Sequence, residues 1–239
     1  MKIRDILHRL FMRFHLLPVP ESPAAEIVYS RLSYAQEGED MILAGLFEGK
    51  NDGFYIDVGA YHPYKFSNTY YFYLQGWQGI NIDATPGSMK SFNQIRSRDI
   101  NLEIAVSDSR DTLTYYCFKE PALNTFCKKL ADFYIMKGWE CIAEQFIPVY
   151  PLSEVLEHYL PTTQSIDFLT IDVEGLDYNV LKSNNWFKYR PEIILIEDLN
   201  CSSLQEVLHS EITELMTAQK YELYGKAIRT LFFKSTHQT

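Results

Sequence analysis

Two acids one residue apart, Asp172 and Glu174 in IDFLTIDVEGLDYNVLKS, are the residues best spaced for chemistry. They follow a short apolar run, and alternation along an extended chain puts both carboxylates on one side. At the end of a buried strand such a pair can orient a hydroxyl, take its proton or hold a divalent ion, if burial or neighbours tune the pKa. The next apolar run, EIILIED, brings Glu197 to the same rim. Three carboxylates could hold Mg²⁺ with water in the remaining positions, although no spacing demands a metal. The plainer role for an acid here is to cap the following helix by accepting its backbone N–H groups.

Three earlier runs also end in acids. In an open α/β sheet, ligands sit at the carboxyl ends of the strands where strand order reverses. FYIDVGAYHP supplies Asp57, Gly59 and Ala60, with the glycine letting backbone approach a ligand closely. GINIDA supplies Asp83 and Ala84, the acid placed to accept from ribose hydroxyls. AVSD supplies Val106, against which an adenine could lie, and Ser107 and Asp108 to read its edge. A dinucleotide needs GxGxxG to cradle its pyrophosphate, whereas here one glycine precedes Tyr61, His62 and Pro63. S-adenosylmethionine has no phosphate and tolerates that loop. The residues alone leave a NAD-dependent oxidoreductase or epimerase, and a non-catalytic nucleotide-binding scaffold, as alternatives.

Gln36 and Asn68 are expected near the methionine end of such a donor. His62 either faces the same moiety or hydrogen-bonds to backbone. In the stretch 119–148, Asn124 and Thr125 are the polar candidates for an acceptor pocket. Phe126, Tyr134 and Trp139 would stack on a sugar ring or fill the interior of a lid.

The elements that must position these residues alternate. Helices are expected over 33–47, 67–74 onward, 88–96, 177–183 and 204–219. Strands are expected over 53–58, 79–83, 101–106, 166–172 and 192–197. Between 119 and 148 the alternation lapses, and the stretch reads as an inserted helical lid. KYELYGK and IRTLFFKS close the chain as a tight hairpin. Parallel strands need crossovers and a hairpin makes an antiparallel edge. The fold class is therefore α/β, a Rossmann-like methyltransferase fold. Its seven-stranded sheet is mostly parallel, with helices on both faces and an antiparallel C-terminal hairpin.

In sequence order, SYAQEGED, YIDVGAYHP, SNTYYFYLQGWQGINIDATP, AVSD and IDVEGLDYNVL resemble the FkbM-type methyltransferases. The resemblance implies S-adenosylmethionine as donor and, commonly, O-methylation of a hydroxyl on a sugar or secondary metabolite. It assigns Asp57 and Gly59 to the first cofactor motif, Asp83 to the ribose, Asp108 to the adenine end, and Asp172 and Glu174 to the fourth-strand motif. Many members carry Gly where Pro63 stands, so the His-Pro form marks a subgroup.

The chain has 239 residues, a net charge of -9 and no clustered basic tract long enough to pair with many phosphates, which disfavours nucleic-acid substrates. Its four cysteines lie far apart, with no metal-knuckle or disulfide-framework spacing. Residues 1–17 place apolar side chains at helical spacing with Lys and Arg between them. That basic amphipathic helix could lie on an anionic membrane surface, or pack on the domain or a dimer partner. A proline-bearing linker runs to 28, and the methyltransferase domain spans 29–239. The expected setting is the cytoplasm, and the expected acceptor a small molecule or glycan.

Overall fold

The computed structural model describes residues 31–199 and 203–236. The expected N-terminal helix and linker, 1–28, lie outside the described residues. In chain order come helix α1 (Glu39–Leu46), β1 (Phe54–Val58), α2 (Tyr70–Leu74), β2 (Gln78–Asp83), α3 (Met89–Ile95) and β3 (Ile100–Glu103). Next are β4 (Ala105–Ser107), β5 (Asp111–Phe118), a 3-10 turn (Pro121–Leu123), α4 (Lys128–Met136), β6 (Cys141–Pro151) and α5 (Leu152–Tyr159). They are followed by β7 (Phe168–Ile171), α6 (Asp177–Lys182), β8 (Ile193–Glu197), α7 (Leu204–Val207), α8 (Glu211–Ala218), β9 (Tyr221–Lys226) and β10 (Thr230–Ser235).

Seven strands form one sheet in the order β3-β2-β1-β7-β8-β10-β9. The first five are parallel, and β10 runs antiparallel to both β8 and β9. Every residue of β1, β7 and β8 is buried, as expected of parallel strands covered on both faces. Alternation divides their side chains. Ile56, Val58, Leu169, Ile171, Ile194 and Ile196 pack with Leu156, Val180 and Leu181 on one face. Tyr55, Phe168, Ile193 and Leu195 pack with Leu43, Phe72 and Trp77 on the other. The chain steps outward from β1 to β2 and β3, then returns to β7 on the other side of β1. That reversal opens the crevice at the carboxyl ends of β1 and β7.

Three local expectations are corrected. Helix α1 begins at Glu39 and not near 33, because Gly38 takes a left-handed φ of 84° and stops the helix there. The Asp40 carboxylate instead accepts from the Ser33 hydroxyl and the Tyr34 N–H, both at 2.6 Å, pinning the preceding loop. The helix expected over 204–219 is two, because the Ser210 hydroxyl caps a new start by accepting from the Thr213 N–H.

The third correction concerns the irregular middle, which is largely β. The strand expected over 101–106 divides after Glu103. β4 leaves the main sheet to pair in parallel with β6, which pairs antiparallel with β5. The expected lid is thus one helix, α4, and a 3-10 turn carried between the two long strands of this second sheet. Much of β6 faces solvent, with Phe146 79% exposed, so its sequence lacks the apolar run that reveals a core strand.

Candidate active site

The crevice is lined at one end by Asp172, Glu174 and Glu197, and elsewhere by Asp83, Ala84, Val106, Gln36, Asn68, Gly59 and Asn124. Ten of the expected site residues therefore meet in one cleft. Asp57, Ala60, His62, Ser107, Asp108 and Thr125 do not line it.

Each exception has a physical reason. Asp57 lies beneath the floor, where its carboxylate accepts from the Thr69 hydroxyl at 2.8 Å. Burial pushes its pKa up to about 6, against the lowering effects of Thr69 and Arg96. Ala60 packs under the loop against Met89 and Phe92. The His62 imidazole Nδ1 accepts from the N–H groups of Tyr64 and Lys65 at 3.3 and 3.2 Å, so of its two expected roles the ring takes the backbone one. Ser107 is buried in β4, and Asp108 turns to Lys182 at 3.7 Å. Thr125 donates to the Glu174 carbonyl at 2.6 Å and holds that loop from outside the cleft.

Gly59 is required by contact across the sheet. Its φ is +88°, and a Cβ there would fall 1.7 Å from the Asp172 carbonyl oxygen. The β1 loop and the β7 loop therefore touch backbone to backbone, which fixes the height of Asp172. The Gly59 and Ala60 N–H groups both donate to the Ile82 carbonyl. Asp83 ties the same loops: one oxygen accepts from Tyr61 N–H at 2.9 Å, the other from Thr85 N–H at 2.7 Å. A carboxylate offers about four lone-pair sites, so each oxygen retains capacity toward a ligand.

At the acidic end, one oxygen from each of Asp172, Glu174 and Glu197 lies within 4.8 Å of the others. Glu174 sits at a positive φ of 52°, with Gly175 following at 100°. Burial raises Glu174 to about 7, against the lowering hydrogen bond from Tyr134. Burial and then the Glu174 carboxylate push Glu197 up to about 8. Loss of water and the carboxylates of Glu197, Asp177 and Glu174 drive Asp172 well above the usual range.

Sequence reasoning missed three contributors, Asp177, Arg229 and Arg96, and expected a fourth, Tyr134, to stack on a sugar or fill the lid. Asp177 caps the turn, accepting from the N–H groups of Val173 and Gly175 at 2.9 and 3.0 Å. Among the described residues no side chain caps helix α6, so the capping role weighed for Asp172 and Glu174 is taken by neither, and Asp177 braces the turn before the helix instead. Tyr134 on α4 donates its hydroxyl to Glu174 at 2.9 Å, a partnership 40 residues apart that no local pattern signals. Arg229, at the hairpin, stands 4.0 Å from Glu197. Arg96 is fully buried and supports the whole floor.

These shifts set a pH dependence of stability. An acid whose pKa is higher folded than unfolded contributes stability that is fully present below its unfolded pKa and lost as pH rises through the folded one. For Glu174 and Glu197 that loss runs from about pH 5 to beyond the values of about 7 and about 8. The Tm of chelator-treated protein should therefore fall across this window. A Tm that rises there would contradict the crowded carboxylate cluster.

The reversed strand order and the closing antiparallel hairpin make a Rossmann-like methyltransferase fold, with Asp83 at the end of β2 and Asp172, Glu174 and Glu197 at the ends of β7 and β8 lining one cleft. The sequence profile described as the methyltransferase FkbM domain matches residues 57–223, and the chain belongs to that family. No curated protein matches it. Among solved structures, it is similar to a TehB-like SAM-dependent methyltransferase from Corynebacterium glutamicum ATCC 13032 Kitasato. That likeness has 10% identity over 98% of this chain and 97% of the other, with a TM-score of 0.40.

Proposed function

We propose that the protein O-methylates a hydroxyl of a sugar, glycan or secondary metabolite. The observation that carries this reading is the carboxylate cluster at the ends of β7 and β8, across β1 from Asp83 at the end of β2. Asp83 would hold the donor's ribose hydroxyls, Ile104 and Val106 would line its adenine, and Gln36 and Asn68 would flank its methionine end. The acceptor enters beside Asn124 and Phe126, under the helix whose Tyr134 holds Glu174.

In the transfer, a lone pair of the acceptor oxygen attacks the sulfonium methyl carbon, the carbon–sulfur bond breaks, and S-adenosylhomocysteine departs. The hydroxyl proton passes to a carboxylate of the cluster. A base whose pKa lies near the working pH balances availability against strength, and Glu174 at about 7 meets that condition. Alignment of acceptor, methyl and sulfur supplies much of the acceleration, because the sulfonium is already a good leaving group.

The test is incubation with methyl-labelled donor and a panel of glycans and hydroxylated small molecules. The reading expects label in a base-stable ether. Label released by mild base would indicate a methyl ester and overturn it. Calorimetry showing tight NAD binding and no response to S-adenosylhomocysteine would favour an oxidoreductase.

No helix among the described residues is long and apolar enough to cross a membrane.

A further inference from the structure

We infer that Asp172, Glu174 and Glu197 together bind one hard divalent cation of the Mg²⁺, Mn²⁺ or Ca²⁺ kind. Three side chains from two neighbouring strand ends each offer an oxygen, and these oxygens lie within 4.8 Å of one another. Opposite ligands of one ion stand about 4.0–4.2 Å apart around Mg²⁺ and about 4.6–5.2 Å apart around Ca²⁺. The cluster is thus on the scale that one Ca²⁺ spans and wider than one Mg²⁺, and a small inward shift of the three side chains brings them onto a single ion, with the remaining positions left for water or an acceptor oxygen.

A second observation is independent of that spacing. Glu197 is only 9% exposed, and its Oε2 is buried without a hydrogen-bond partner. A buried carboxylate oxygen left unpaired is costly, and among the described residues the side chain in hydrogen-bond reach of Glu197 is the Asp172 carboxyl, itself an acid of the same cluster. The Arg229 guanidinium is 4.0 Å from the other oxygen, Oε1, beyond hydrogen-bond reach, and that side chain is more than half exposed. Tyr134 donates to Glu174. A cation among the three carboxylates supplies the missing partner and offsets the like-charge crowding.

The Glu174 carbonyl is fixed by Thr125 and the turn by Asp177. The three donors are thus held by structure outside the cluster. Binding of the ion stands on this geometry alone. Its consequence rests on the reading of this rim as the reaction centre: the ion would hold the acceptor oxygen beside the donor methyl and ease loss of its proton.

The experiment uses the full chain stripped with a chelator and then titrated with Mn²⁺, followed by calorimetry and by electron paramagnetic resonance of free Mn²⁺. Mg²⁺ and Ca²⁺ serve as competitors. One saturable site per chain is expected, weakened at least about tenfold in both Glu197→Gln and Glu174→Gln. Asp132→Asn, which alters an exposed acid paired with Lys128, should bind as the parent does. Absence of saturable binding, or binding unchanged in both cleft variants, would overturn the site. S-adenosylhomocysteine binding measured in parallel separates the two readings. If it persists while Mn²⁺ binding fails, only the cation site falls. If Mn²⁺ binds and the homocysteine compound does not, the cation site stands and the donor reading falls.

Discussion

Asp172→Asn is expected to lower methyl transfer by about 10²-fold, the cost of misplacing an acceptor oxygen that Asp172 orients beside the Glu174 base, with S-adenosylhomocysteine affinity and fold retained. The position of residue 172 does not depend on its charge. Its backbone N–H donates to the Val58 carbonyl at 2.9 Å, and its own carbonyl rests against Gly59. Asparagine keeps the shape and removes one negative charge from a crowded cluster. Relief of that crowding should hold or raise Tm. Turnover on an acceptor found with labelled donor, calorimetry and thermal unfolding give the three readouts. Loss of turnover together with loss of ligand binding would mean that the cleft had collapsed, and the catalytic assignment would fail.

The second large effect is structural. Arg96→Met should destabilise the fold by about 3–5 kcal/mol, as expected for breaking a buried ion pair from one side. For a chain of this size that is a Tm fall of roughly 6–20 °C. The guanidinium bonds Asp99 at 2.9 Å, the Pro63 carbonyl at 3.0 Å, the Tyr55 hydroxyl at 2.6 Å and the Thr69 hydroxyl at 3.1 Å. Tyr73, Tyr55 and Tyr70 surround it, with ring centroids 4.7, 5.3 and 5.7 Å away. Thr69 in turn holds Asp57, so Arg96 ties the loop after β1 to the floor of the cleft. Methionine fills part of the volume but leaves the Asp99 carboxylate buried without its cation. Adding Asp99→Leu should recover part of the lost stability. A thermal shift below about 2 °C in the single variant, half a kcal/mol or so, would show that the pair is not the anchor described.

What was legible followed from burial. The runs in β1, β7 and β8 are apolar throughout because both faces of the sheet are covered, so their positions and the acids at their ends could be read directly. The hairpin was legible because its turn is short. The second sheet was not, since β6 faces solvent along much of its length and carries no periodic apolar signal.

At the site, Asp83, Asp172 and Glu197 at strand ends line the cleft as expected, whereas Asp57 and Ser107, also at strand ends, are buried away from it. Contacts distant in sequence were harder to read. Gly59 lines the cleft as expected, and the Asp172 carbonyl adds a steric demand for glycine that no local pattern shows. Thr125 was taken for an acceptor contact, yet it buttresses the Glu174 loop. Apart from Asp99 three residues on, the side-chain partners of Arg96 lie 15–41 residues away and that of Tyr134 lies 40 away, so no local pattern reveals these contacts. Asp108 followed the family pattern but turns toward Lys182.

The orientation of the donor is the central claim, and a crystal structure of the protein with S-adenosylhomocysteine measures it most directly. The account predicts ribose hydroxyls on the Asp83 carboxylate, adenine beside Val106, and the sulfur turned toward Asp172, Glu174 and Glu197. A ligand lying with its sulfur at the Val106 end, or bound outside this cleft, would contradict it.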